Sequence, residues 1–295
     1  MNYTICDLEE NSIFLLAVVR DENILLEYFI EYYKKIGITH FIIIDNGSKD
    51  GSFEYLRNLD ENIILLQTFD HYKEHFGTNW INYALKKYCL NKWCLVVDID
   101  ELIYLDDINT LINKMISNNS KACCFLLLDM YSNLCENYKK GKEFGNHSKY
   151  FDKFSNYYNY NKEDKTVNGR WKTHFFLNRP ICGGVRNRLI GVNCWIIKRS
   201  LFYNDPQTYV GWGYHTITGV SRVHPRLEYL LHYKFIKPNF KEFIQKRINN
   251  NQDWNNSSEY KQYIDINPKY IYDKNLSIKL KNKKQLDEIF SEIIF

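Results

Sequence analysis

The chain has 295 residues, 39 Lys and Arg against 35 Asp and Glu, and a formal net charge of +4. So mild a charge argues against nucleic acid as a partner, and 45% apolar with 25% charged residues describes an ordinary globular enzyme. No run of about 18 apolar residues occurs, and Met1 to Asn11 lacks the shape of a signal peptide, so a cytoplasmic chain without a membrane span is expected.

The first hundred residues alternate between apolar runs and amphipathic stretches. Ile13 to Val19 reads as a strand. Glu22 to Ile36 reads as a helix, with Ile24, Tyr28, Tyr32 and Ile36 on one stripe, and Gly37 ends it. His40 to Ile44 is a second strand, followed by the turn Asp45-Asn46-Gly47-Ser48 and a helix start. Asn62 to Leu66, the helix Trp80 to Tyr88 and the strand Trp93 to Val97 complete a β-α-β-α-β-α-β series. That order implies a mostly parallel, Rossmann-like sheet flanked by helices, an α/β fold. Asp107 to Ile116 predicts a further helix and Ala122 to Leu128 a further strand. The pattern then weakens: about 131–170 reads as a loop or lid insert, Lys172 to Asn178 and Cys194 to Lys198 as strands. Phe240 to Asn249 and Lys281 to Ile294 look helical. The expected organisation is one catalytic domain over 1–250 and a helical C-terminal tail over 251–295.

The fourth strand runs straight into Asp98-Ile99-Asp100-Glu101-Leu102. Open α/β sheets place ligands at the carboxyl ends of their strands. Side chains alternate along a strand, so Asp98 and Asp100 are expected to project to the same side while Ile99 points into the core. Two hard oxygen ligands there suit Mg²⁺ or Mn²⁺ carrying a diphosphate, since such ions keep positions open for substrate oxygens. The D-x-D spacing alone is a weak signal that also suits a solvated strand end.

The eight cysteines form no C-x-x-C pair, and Cys123-Cys124 sit side by side in a strand-like run, so free, buried thiols in a reducing compartment are expected. Asn46-Gly47-Ser48 is a glycosylation sequon at the carboxyl edge of the second strand, where a glycan would block a ligand, so passage through a glycosylating secretory pathway is not expected.

Several segments in order carry a family resemblance. They are Arg20-Asp21-Glu22, Leu26-Glu27-Tyr28, Ile44 to Gly51, Asp98 to Leu102, Leu128-Asp129-Met130-Tyr131, Gly183-Gly184-Val185-Arg186 and Leu230-Leu231-His232-Tyr233-Lys234. Together, over about 13–245, they resemble the family 2-type nucleotide-sugar glycosyltransferases of the GT-A fold. Asp21 stands where the family usually has Asn, and Leu102 and Tyr233 where it has Phe.

The resemblance implies transfer of a sugar from a nucleotide donor, UDP-linked, to a hydroxyl of a saccharide or lipid-linked saccharide, with inversion, in surface-glycan synthesis. Asp45 would contact base or ribose, or simply cap the turn. Arg20 would hold a phosphate or ribose oxygen, or form a surface ion pair. Asn79 and Asn82 lie where related enzymes face the nucleoside. Asp98 would contact ribose or sugar and Asp100 the Mn²⁺ or Mg²⁺, with His232 as a further ligand and His215 or Asp98 as alternates. Glu101 would orient its neighbours or pair with a basic residue. Asp129 would be the general base or a turn cap, with Asp152 and Glu143 next in line. Arg186 and Lys198 would close on the diphosphate, or lie as surface charge. The lysines Lys274, Lys279, Lys281, Lys283 and Lys284 could touch an anionic membrane surface or form a solvated face.

Two other classes share features of the chain. A HAD-type phosphatase also begins with D-x-D after an apolar strand, but near its N-terminus, whereas three strands precede Asp98 here. A nucleotide-sugar-binding protein without turnover would keep the same fold, and intact carboxylates count against it.

Overall fold

The computed structural model describes residues 12–59, 62–72, 77–133, 148–153, 158–159, 181–191, 195–237, 239–250 and 254–291. Lys172 to Asn178, Glu143 and three of the cysteines lie outside them.

The alternating half of the sequence folds as its periodicity dictates. The strands β1 (Ile13–Val19), β2 (His40–Asp45), β3 (Ile63–Gln67) and β4 (Lys92–Val96) pair in parallel, in the order β3-β2-β1-β4. The helices α1 (Asn23–Lys35), α2 (Ser52–Arg57) and α3 (Thr78–Tyr88) make the crossovers. Gly37, at φ 104°, takes the left-handed backbone that stops α1. The next helix, α4 (Ile108–Ser117), begins at Asp107, whose carboxylate accepts from Asn109 N at 3.1 Å and Thr110 N at 3.0 Å.

The second half of the sheet is assembled from distant segments. After β4 come β10 (Ile197–Asn204), β6 (Ala122–Asp129), β13 (Glu228–His232) and the short β5 (Glu101–Ile103). Only β10 and β5 run against the common direction. The result is a mixed α/β structure with an eight-stranded, mostly parallel central sheet flanked by helices. Every residue of β6 is buried, as a strand covered on both faces requires.

The smaller elements close around this sheet. Strand β7 (Tyr150–Asp152) pairs with β14 (Ser277–Lys279), β8 (Tyr158–Asn159) with β9 (Ile181–Cys182), and β11 (Tyr209–Gly211) with β12 (Thr216–Thr218). Thus part of the expected insert, at 150–152, is a strand held by the C-terminal segment. Helix α5 (Gly184–Ile190) follows two glycines at φ 131° and 74°, a backbone course that side-chain-bearing residues rarely take. Helices α6 (Phe240–Asn250) and α7 (Trp254–Gln262) pack on a second apolar cluster with Tyr131, Val185, Phe235 and Tyr263. The final helix, α8 (Lys283–Ile289), puts Leu286 into the main core, beside Phe290. The segment after 250 is therefore packed onto the sheet domain and contributes a strand as well as helices. Of its lysines, Lys283 pairs with Glu228.

Cys89, Cys94, Cys123, Cys124 and Cys182 are free and buried. Among the described residues no helix is long and apolar enough to cross a membrane.

Candidate functional site

Strand register concentrates the chemistry at the carboxyl edge. His232 ends β13 and lies directly opposite Asp129 on the parallel β6 and Glu101 on the antiparallel β5. Its Nδ1 is 2.5 Å from Asp129 Oδ1, and its Nε2 is 3.6 Å from Asp100 Oδ2. Asp100 is fixed from the backbone as well, since Tyr233 N donates to Asp100 O at 2.8 Å.

The two carboxylates of the D-x-D segment do not share a strand. β4 ends at Val96, and Glu101 N donates to Asp98 O at 3.0 Å, so residues 98–101 form a turn. Ile99 is buried as expected, but the turn sends the two carboxylates to different partners. Asp100 meets His232. Asp98 accepts from Lys198 Nζ at 2.8 Å, and the same ammonium contacts both oxygens of Glu101 at 2.7 Å. The backbone N of Asp98 also donates to Glu101 Oε2 at 2.8 Å. Glu101 thus orients Asp98 and pairs with a basic residue. Lys198 is fully buried, which penalises its charge, yet the two carboxylates raise its pKa above the ordinary lysine value. It is a structural counter-ion of the turn rather than a side chain open to a diphosphate.

Asp129, the expected base, is engaged at both of its oxygens. Its side chain is 2% exposed; Oδ1 faces His232, and Oδ2 accepts from Arg186 Nε at 2.8 Å. Burial raises its pKa, but Arg186 and His232 outweigh that and hold it below the usual carboxylate value. A general base needs reach to the acceptor proton and a proton affinity near working pH, and these two partners oppose the second. Asp152 is likewise engaged: it is fully buried, gripped by Arg188 at 2.8 and 2.9 Å, and accepts from Tyr131 Oη at 2.7 Å.

His232 itself is raised to about 9: burial opposes its charge, but Asp100 and Asp129 on either side outweigh the penalty. His215 is pushed down to about 4 by burial and by Lys198, and its Nδ1 sits 3.2 Å from Ile197 O. Of the two histidines, His232 is the one that converges with Asp100.

Four cations ring this point, and each has a carboxylate. Besides Lys198, Arg186 pairs with Asp129, Lys234 with Glu259 at 3.0 Å, and Lys237 with Glu22. His232, then Lys237 and Lys234, pull the Asp100 pKa down against the burial that would raise it. The sequence alone assigns no role to Lys234, Lys237, Glu22 or Glu259. Lys234 and Glu22 stand inside the family-like motifs, the only signal that could have found them.

The expected nucleoside pocket is partly assembled. Asp45 is fully buried and caps its own turn: it accepts from Gly47 N at 3.0 Å, Ser48 N at 3.2 and 3.3 Å, and Gln67 Nε2 at 3.1 Å. Its carboxylate is thus engaged by the turn it begins and by Gln67. Beside it, Arg20 NH1 donates to Asn46 Oδ1 at 3.2 Å. Phe69, 79% exposed, lies over Gly47, where a Cβ would come within 3.1 Å of the ring. Asn79 is exposed at the start of α3. Asn82 is buried and serves the fold instead. It donates to Val210 O at 2.7 Å and Thr78 O at 2.8 Å, and accepts from Val210 N at 2.9 Å, pinning β11 to α3. Its amide is therefore spent on backbone.

Among the described residues no group of three His, Cys, Asp or Glu is placed to hold a metal ion. Asp100 and His232 nevertheless fit as a two-ligand set, the donor types that Mn²⁺ accepts when phosphate oxygens and water fill its remaining positions.

No family model and no curated protein matches the chain. Among solved structures it is similar to TarS from S. aureus. TarS 1–349 in complex with UDP aligns at 18% identity over 41% of this chain and 36% of that one, with a TM-score of 0.31. A second structure of TarS 1–349 aligns at 12% identity over 88% and 73%, with a TM-score of 0.37. The longer TarS chain aligns at 12% identity over 84% and 41%, with a TM-score of 0.40. This chain thus spans little more than a third of the UDP-bound fragment, and TM-scores this low carry no functional assignment.

Proposed function

We propose that the chain is a GT-A-type glycosyltransferase that uses a divalent metal to transfer a sugar from a nucleotide-sugar donor to a saccharide or lipid-linked saccharide hydroxyl. The observation that carries this is the convergence of Asp100 and His232 at the carboxyl edge of a parallel sheet, inside a ring of cations already paired with carboxylates. Lys198, Arg186, Lys234 and Lys237 are each paired with an acid, so an incoming diphosphate meets a site whose charges are balanced. Mn²⁺ or Mg²⁺ bound by Asp100 and His232 would supply the missing positive charge on the leaving diphosphate.

The chain's own residues do the rest by position. Asp98, with its side chain 41% exposed, faces ribose or sugar while Lys198 and Glu101 hold the turn beneath it. Arg20 and Asn46 line the nucleoside side, and the exposed ring of Phe69 offers the base a face for stacking. Lys234 and Lys237 stand near Asp100, where exchange of a carboxylate for a phosphate oxygen leaves their charge satisfied. UDP as the nucleotide, inversion, and a place in surface-glycan synthesis rest on the family resemblance. We take the base to be a carboxylate other than Asp129, whose two oxygens are engaged by His232 and Arg186; Asp152 and Glu143 are the next to test.

Thermal-shift measurement against a panel of nucleotide sugars with Mn²⁺ tests the reading. Stabilisation by one base series, lost in chelator, is expected; equal stabilisation with and without the metal contradicts it.

The pKa of His232 gives a prediction with opposite signs for two observables. Folding raises that pKa from 6.5 to about 9, so the metal-free protein holds this contribution fully below pH 6.5 and loses it as pH climbs through 9. Metal must displace the same proton from Nε2. Its apparent affinity should therefore rise about tenfold per pH unit up to that pKa and then level. Calorimetric Mn²⁺ titrations beside metal-free melting curves from pH 6 to 10 check both trends.

A further inference from the structure

Among the described residues, Asp129 is a buried carboxylate engaged at both oxygens by side chains. It leaves the end of β6 directly opposite His232 on β13, with its side chain 2% exposed. One oxygen meets His232 Nδ1 at 2.5 Å and the other accepts from Arg186 Nε at 2.8 Å. Arg186 is delivered by α5 behind Gly183-Gly184, and a second of its nitrogens lies 3.7 Å from Glu259 on α7. Both carboxylate oxygens are therefore committed, and their partners come from separate parts of the chain.

We propose that Asp129 is a positioning residue that holds the proton of His232 on Nδ1, so that Nε2 presents its lone pair beside Asp100 to a divalent metal, with Arg186 locking the carboxylate in place. This inference rests on the metal reading of Asp100 and His232. An imidazole binds metal through the nitrogen that carries no proton, and the hydrogen bond made by its other nitrogen decides which one that is. A carboxylate can only accept from the ring, so Nδ1 must be the donor. Nε2 faces Asp100 Oδ2 at 3.6 Å, beyond direct hydrogen-bond distance, which leaves the two atoms able to meet one ion.

Arg186 makes the arrangement selective, and this yields a sharp test. Guanidinium has donors only, so in Asp129→Asn the single amide oxygen is drawn to Arg186 and the NH₂ turns toward His232. Nδ1 must then accept, the proton moves to Nε2, and the ligand nitrogen is blocked although the side chain keeps its size.

Mn²⁺ alone, titrated against the intact chain and followed by the electron paramagnetic resonance of the free ion, reads the effect. Asp129→Asn is expected to weaken Mn²⁺ binding about 10- to 100-fold, in step with His232→Ala. If His232→Ala weakens binding and Asp129→Asn does not, the inference is overturned while the metal site stands. If neither the wild type binds Mn²⁺ nor His232→Ala changes anything, the metal reading fails and takes the inference with it. Should Asp129→Asn not fold, ¹⁵N spectra of the wild-type His232 ring with Mg²⁺ decide. A protonated Nδ1 throughout, with Nε2 shifted by Mg²⁺, supports the inference, and an unprotonated Nδ1 overturns it.

Discussion

Replacing Asp100 by alanine is expected to lower sugar transfer by about 10³-fold or more, because the metal's stabilisation of the leaving diphosphate amounts to several kcal/mol. Asp100 is the half of the converging pair that lies in a turn, with its side chain 22% exposed. The turn keeps its backbone bonds to Tyr233 and within residues 98–101, and His232 keeps Asp129. Melting temperature should therefore fall only by the part of the His232 interaction that Asp100 supplies, while turnover collapses, and excess Mn²⁺ should recover only part of it. A variant that retains transfer within about tenfold of wild type would remove Asp100 from the metal site.

A substitution at Lys198 should behave in the opposite way. Its ammonium is fully buried between Asp98 and Glu101, and Glu101 is itself 2% exposed. Lys198→Met keeps most of the volume and removes the charge, leaving a buried carboxylate without its counter-ion. Breaking such a pair from one side costs about 3–5 kcal/mol. Urea unfolding should show that loss, with a lower midpoint and an unchanged slope. If Lys198 instead served the donor diphosphate, stability would hold and nucleotide affinity alone would fall.

These contrasts show where the sequence was legible. The β1 to β4 half was readable because its strands are apolar runs, α1 and α3 are periodic, and each element is joined to its neighbour by a short crossover. The site was readable as a set of motifs but not as a geometry. Asp98 and Asp100 follow an apolar strand and invite extrapolation of its alternation, whereas the chain turns at that point and divides them between β10 and β13. Lys198 reaches Asp98 across 100 positions, Lys237 reaches Glu22 across 215, and Asn82 finds Val210 across 128. No local pattern encodes such pairings, because they arise from the register of strands that are not consecutive. Asp129 illustrates the cost: a carboxylate at a strand exit has the composition of a base, and nothing local signals its pairing with His232 and Arg186. The short strands β5, β7 and β14 fall below the length at which period-two alternation can be read.

Release of nucleoside diphosphate from a panel of nucleotide sugars, compared in Mn²⁺ and in chelator, tests the central claim most directly. Slow donor hydrolysis without acceptor is enough of a signal. The account predicts release from one nucleotide series that requires the metal and disappears in both Asp100→Ala and His232→Ala. Release that continues undiminished in chelator, or that survives both substitutions, would contradict it.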